Sequence, residues 1–118
     1  MKTQFRQQSL RLRVDEDELA RLLAGETVVN ALQFGDGAGW SLALRLHADA
    51  ARVSATAGDC HVALPLDAVR ELQARLPSRE GLCFELPAGS GGVQLRLDVD
   101  VRDSVRRRGP ARPVKPAA

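Results

Sequence analysis

The chain has 118 residues, 44% of them hydrophobic and 27% charged, a composition that excludes wholesale disorder and suits one globular domain. No apolar run approaches the ~18 residues that a membrane span requires. The formal net charge of +2 is unevenly spread: Arg106, Arg107, Arg108, Arg112 and Lys115 all follow Val105, where there is no acid, so the body is net acidic and argues against a basic, nucleic-acid-binding fold.

The first eight residues, Met1 to Gln8, hold no apolar stretch of the kind a secretion signal needs, and a cytoplasmic location is expected. From Ser9 the chain alternates. Leu10, Leu12 and Val14 point one way and Ser9, Arg11 and Arg13 the other, which is a strand with one buried and one wet face. Asp15-Glu16-Asp17-Glu18 then opens a helix over about 15–24. Asp15 caps it, Glu18 stands where a capping box needs it, Leu19, Leu22 and Leu23 form the apolar stripe, and Gly25 supplies the stop.

A strand is expected from Glu26 to Phe34, with a bulge where alternation slips at Val28-Val29. The glycine-rich Gly35–Gly39 turn leads into a second, in which Trp40, Leu42, Leu44 and Leu46 alternate with Ser41, Ala43, Arg45 and His47. Arg52–Ala57 and Cys60–Leu64 flank the Gly58-Asp59 hairpin turn. A second helix is expected over about 66–76, with Leu66, Val69, Leu72 and Leu76 at helical spacing, Glu71 and Arg75 as an i,i+4 pair, and Pro77 as its end. Leu82–Leu86 and Val93–Val101 close the body as a hairpin. One-sided alternation belongs to antiparallel sheets covered on one face. The expected architecture is therefore α+β: one twisted, mainly antiparallel sheet of about six or seven strands, with both helices on its apolar face. No internal repeat of 20–50 residues is expected. Residues 1–105 form the domain. Residues 106–118, with three prolines and five positive charges, read as a disordered basic tail.

This organisation resembles a family of small bacterial proteins of unknown function. The resemblance is carried by Ser9-Leu10-Arg11-Leu12-Arg13-Val14, by Glu18-Leu19 with Leu23 and Gly25, by Phe34-Gly35 and Leu42-Ala43-Leu44, and by Val62-Ala63-Leu64-Pro65-Leu66. It spans about residues 4–103. It implies a shared fold and carries no catalytic or binding residues. Gln7-Gln8 replaces the turn-like pair associated with that family, and the tail is an addition.

The chemistry-bearing residues do not converge. His47, Cys60, His61 and Cys83 lack metal-finger spacing, and neighbours on a strand point to opposite faces. Both glycine-rich loops lead into strands, whereas phosphate loops lead into helix N-termini. Ser54, Asp59 and His61 lie close across a hairpin with no oxyanion hole in view. Cys60 takes a dry position and Cys83 a wet one, which argues against a disulfide between them and makes Cys83 the more reactive thiol. Asp98, Asp100 and Asp103 are interleaved with Arg96 and Arg102, the pattern of ion pairs on a solvated face. Four aromatics, three of them at apolar strand positions, are too few for base stacking.

What remains is an arginine face. Arg11, Arg13, Arg45, Arg96 and Arg102 take polar strand positions with His47 beside them, and guanidinium forks suit phosphate or carboxylate. The charged strands are similar to those of triphosphate-tunnel enzymes, but the alternating Glu-x-Glu-x-Lys of that family is missing. The leading expectation is a small binding or interaction domain without catalytic activity, cofactor or metal. Its partner is a protein or a second copy, met at an edge strand. The alternatives are a phosphate- or carboxylate-bearing ligand at the arginine face, and weak nucleic-acid binding through Arg106, Arg107, Arg108, Arg112 and Lys115.

Overall fold

The computed structural model describes residues 1–47, 49–88 and 91–101. Eight strands and two helices follow one another as β1 (Lys2–Arg6), β2 (Ser9–Asp15), α1 (Glu16–Leu23), β3 (Val28–Gly35), β4 (Ala38–His47), β5 (Arg52–Thr56), β6 (Asp59–Pro65), α2 (Leu66–Ala74), β7 (Leu82–Ala88) and β8 (Gly91–Asp100). The α+β class and both helices are as the sequence reads. The single antiparallel sheet is not. The strands form two four-stranded sheets, ordered β1-β2-β8-β7 and β3-β4-β6-β5. Each is two antiparallel hairpins joined by a central parallel pair, β2 with β8 and β4 with β6. The physical reason is simple. Alternation reports which face of a strand is buried, and says nothing about its neighbour or that neighbour's direction.

The chain order is a doubled unit, strand–strand–helix–strand–strand, contrary to the expectation of no repeat. The first and last hairpins make one sheet, and the two inner hairpins make the other. Equivalent contacts recur. Leu12 lies beside Leu97 in the first parallel pair, and Val62 beside Leu44 in the second. The Gln94 N–H donates to the Gln8 carbonyl at 2.9 Å, and the Ser41 N–H donates to the Gly58 carbonyl at 2.9 Å. Those two carbonyls belong to the tight turns before β2 and β6, where Gln8 (φ 57°) and Gly58 (φ 89°) both adopt left-handed backbone. Repeat units this divergent keep the apolar positions and little else, which is why the doubling is hidden in the sequence.

One core serves both sheets. Leu10, Leu12 and Val14 from β2 and Leu95, Leu97 and Val99 from β8 join Leu42 and Leu44 from β4 and Val62 and Leu64 from β6. Leu19 and Leu22 of α1 and Val69 and Leu72 of α2 complete it. Both helices act as bridges, α1 carrying the chain from the first sheet to the second and α2 carrying it back. Helix α1 is well delimited. The Asp15 carboxylate accepts from the Glu18 N–H at 2.7 Å, and the Glu18 carboxylate accepts from the Asp15 N–H at 3.0 Å. At the other end Gly25 (φ 94°) donates to the Leu22 carbonyl and Glu26 to the Arg21 carbonyl, a Schellman stop. Helix α2 ends at Ala74, short of the expected 76. Instead of pairing with Glu71, Arg75 donates to Ser78 Oγ and to the Gly81 carbonyl, pinning the loop before β7.

Among the described residues no helix is long and apolar enough to cross a membrane.

Candidate functional site

Two surfaces hold residues that packing alone does not explain. The first is the outer face of the β1-β2-β8-β7 sheet. Cross-strand register sets Lys2 opposite Arg13, Gln4 opposite Arg11 and Arg6 opposite Ser9. On the other side of β2, Arg11 lies beside Arg96 and Arg13 beside Asp98. Asp98 is the organising group, since its side chain is only 7% exposed. One carboxylate oxygen accepts from Arg11 Nε at 2.5 Å and the other from Arg96 Nε at 3.0 Å. Arg96 also donates to the Arg79 carbonyl at 2.7 Å. Two guanidiniums thus share one buried carboxylate, which fixes their orientation and uses donors that a ligand would need. A shallow cavity of about 410 Å³ lies over this face, lined by Arg6, Arg11 and Arg96 among others.

The expected arginine cluster is therefore divided. Arg11, Arg13 and Arg96 share one face. Arg45 lies on the other sheet, on the outer face of β4 beside Ala63, with Arg52 on Ala63's far side. His47 belongs to the end of β4 in that same sheet. Arg102 lies outside the described residues, as do the tail residues Arg106, Arg107, Arg108, Arg112 and Lys115. Lys2 and Arg6, absent from the sequence-derived set, join Arg11 and Arg13 because β1 is a strand. That strand was not expected, since its only large apolar residue is Phe5 and five residues show too little alternation.

The other candidate sets stay apart. Ser54 does lie opposite His61, as the hairpin implies, but Asp59 accepts from Ser41 Oγ at 2.7 Å. Among the described residues no group of three or more His, Cys, Asp and Glu is arranged to hold a metal. Cys60 is half-buried and Cys83 exposed, both as free thiols. Burial pushes the Cys60 thiol above its ordinary pKa.

The second surface is apolar. Phe5, Leu32, Phe34 and Trp40 are each more than half exposed. Trp40 and Leu32 are cross-strand partners, and Phe34 meets the Trp40 ring edge to face, with centroids 5.7 Å apart at 82°. Trp40 keeps the apolar parity of Leu42 and Leu44 that the sequence implies. It is nevertheless exposed, because it lies at the strand end beyond the reach of the core. Between these residues runs a groove of about 740 Å³, with Leu32, Trp40, Leu42 and Cys60 as its floor and Thr3 and Phe5 of β1 as its far wall. Asn30 Nδ2 donates to Thr3 Oγ1 at 2.9 Å and ties the two sheets at the groove's inner end.

Strand β3 borders this groove and is the edge of its sheet. Edge strands are usually guarded by charge, proline or a bulge. The other three edges comply: β1 carries Lys2 and Arg6, β5 carries Arg52, and β7 carries Glu85 and Pro87. Strand β3 reads Val28-Val29-Asn30-Ala31-Leu32-Gln33-Phe34-Gly35, without charge or proline, and is the longest of the four. Its one irregularity lies between Gln33 and Gly35, at the hairpin end, so Val28 to Gln33 remain regular.

No protein-family model matches the chain, and no curated protein matches it.

Proposed function

We propose that the protein is a small binding domain without catalytic activity, and that it recognises an extended polypeptide segment by strand addition at β3. The observation that carries this reading is the unguarded β3 edge lying beside the exposed Leu32, Phe34 and Trp40. An incoming strand takes up the main-chain hydrogen-bonding groups left open at a sheet edge, and its alternate side chains meet the apolar surface. Contiguous exposed apolar surface of this kind marks a contact site on a folded protein. The resemblance to a bacterial family of unknown function is part of the proposal and adds no chemistry to it. A cytoplasmic setting suits two free thiols.

Trp40 is the sole tryptophan and reports on the site directly. An uncharged, alternating Thr/Val peptide titrated into dilute protein is expected to shift Trp40 emission saturably, and Leu32→Lys is expected to remove the response. A chain that neither takes up the peptide nor self-associates contradicts the reading.

A second reading rests on the cationic β1-β2 hairpin. Like charges directly opposite on a sheet oppose folding, yet Lys2 faces Arg13, with Arg6 and Arg11 on the same face. A bound polyanion would relieve that repulsion. Tripolyphosphate is expected to raise the Tm of the wild type and to have a smaller effect on Arg13→Ala. Equal shifts in the two proteins exclude the hairpin as the site.

A further inference from the structure

The occupant of the β3 edge follows from the composition of that edge. We infer that it is β3 of a second copy of this chain, so that two copies form one continuous eight-stranded sheet about a dyad near Ala31. This inference rests on the strand-addition reading and names its partner.

Isologous pairing imposes a demand that pairing with a foreign strand does not: every residue near the dyad meets itself or a close neighbour. A charge there would meet the same charge. Strand β3 passes this condition along its whole length, whereas a mid-strand dyad would set Lys2 opposite Arg6 on β1 and Glu85 opposite itself on β7, and β5 is a five-residue strand carrying Arg52. A dyad perpendicular to the sheet also keeps inner face with inner face. Centred on Ala31, it sets Asn30 opposite Leu32 and Val29 opposite Gln33, so each apolar residue meets a neutral one. Val29 is exposed on the outer face and Leu32 on the inner face, and both are covered by the same pairing.

Sedimentation velocity from about 1 to about 100 μM, the range in which a micromolar dimer dissociates, tests the inference. The wild type is expected to move from a 12.8 kDa monomer to twice that mass. Leu32→Lys and Leu32→Glu, each with an unchanged circular dichroism spectrum, are each expected to stay monomeric. An equimolar mixture of the two is expected to regain the dimer, because the opposite charges then lie diagonally across the dyad, within reach of long side chains. A loss of association through misfolding gives no such rescue. Wild type that remains monomeric throughout overturns the inference; if it still binds the Thr/Val peptide, strand addition stands and the partner is foreign. Dimerisation that survives Leu32→Lys also overturns it, by placing the contact elsewhere.

Discussion

Phe34 and Trp40 pack edge to face on the outside of the molecule, each about 60% exposed (61% and 59%). An aromatic pair of this kind is worth about 1 kcal/mol beyond its buried area, yet it covers little of either ring. Phe34→Ala is expected to change unfolding free energy by less than about 1 kcal/mol and to leave circular dichroism unchanged. The same variant is expected to weaken self-association in sedimentation. A large stability loss would place Phe34 in the fold rather than on a contact surface.

Asp98 binds two guanidiniums from a nearly buried position. Asp98→Asn removes the charge while keeping the shape. Arg11 and Arg96 are themselves more than a third exposed, so water reclaims part of the lost interaction. A destabilisation of about 2 kcal/mol is expected by urea unfolding. Gly81 approaches the same carboxylate: a Cβ there would collide with Asp98 Oδ1 and with the Leu97 carbonyl, at φ +65°. Gly81→Ala is expected to cost more than about 1 kcal/mol, through clash and strain together.

The Asp15 cap is isolated from either candidate surface. Asp15→Ala is expected to lower stability by about 1 kcal/mol and to leave peptide binding and dimerisation unchanged, which makes it the control for global destabilisation.

Thiol chemistry distinguishes the two faces. Cys83 is exposed, whereas Cys60 is half-buried on the groove floor with its pKa raised by burial. A raised pKa leaves less thiolate at any pH below it, so Cys60 is expected to react with a disulfide reagent more slowly than Cys83 near pH 8 and to gain rate as pH rises further. If both cysteines react at one rate, the groove floor is open to solvent and the burial argument fails.

Much of the fold was readable from side-chain pattern. The alternation of Leu42 and Leu44 with Ala43 and Arg45, and of Leu95 and Leu97 with Gln94 and Arg96, assigned inner and outer faces that the structure keeps, whereas Asp98 takes the outer face as expected but is buried there between Arg11 and Arg96. The capping residues Asp15 and Glu18 and the stop at Gly25 located α1 because their chemistry is local. Strand partnership was not readable. Nothing in Ser9–Asp15 states that its second neighbour is β8, about 85 residues later and parallel to it. The arginine cluster failed for that reason: Arg11 and Arg45 share a strand-face pattern but belong to different sheets. The exposure of Trp40 was hidden because parity gives direction and not depth. The neutral run Val28–Gly35 was visible as a sequence, but its meaning required knowing that it is an edge.

Amide hydrogen exchange resolved along β3 tests the central claim most directly. At dilute concentration the backbone amides of Val28–Gln33 that do not pair with β4 are expected to exchange freely. As concentration rises they are expected to become protected, while those on the free edge of β5 keep their dilute rates. Concentration-independent exchange along β3, or protection that rises equally on β5, would contradict a site built on the unguarded edge.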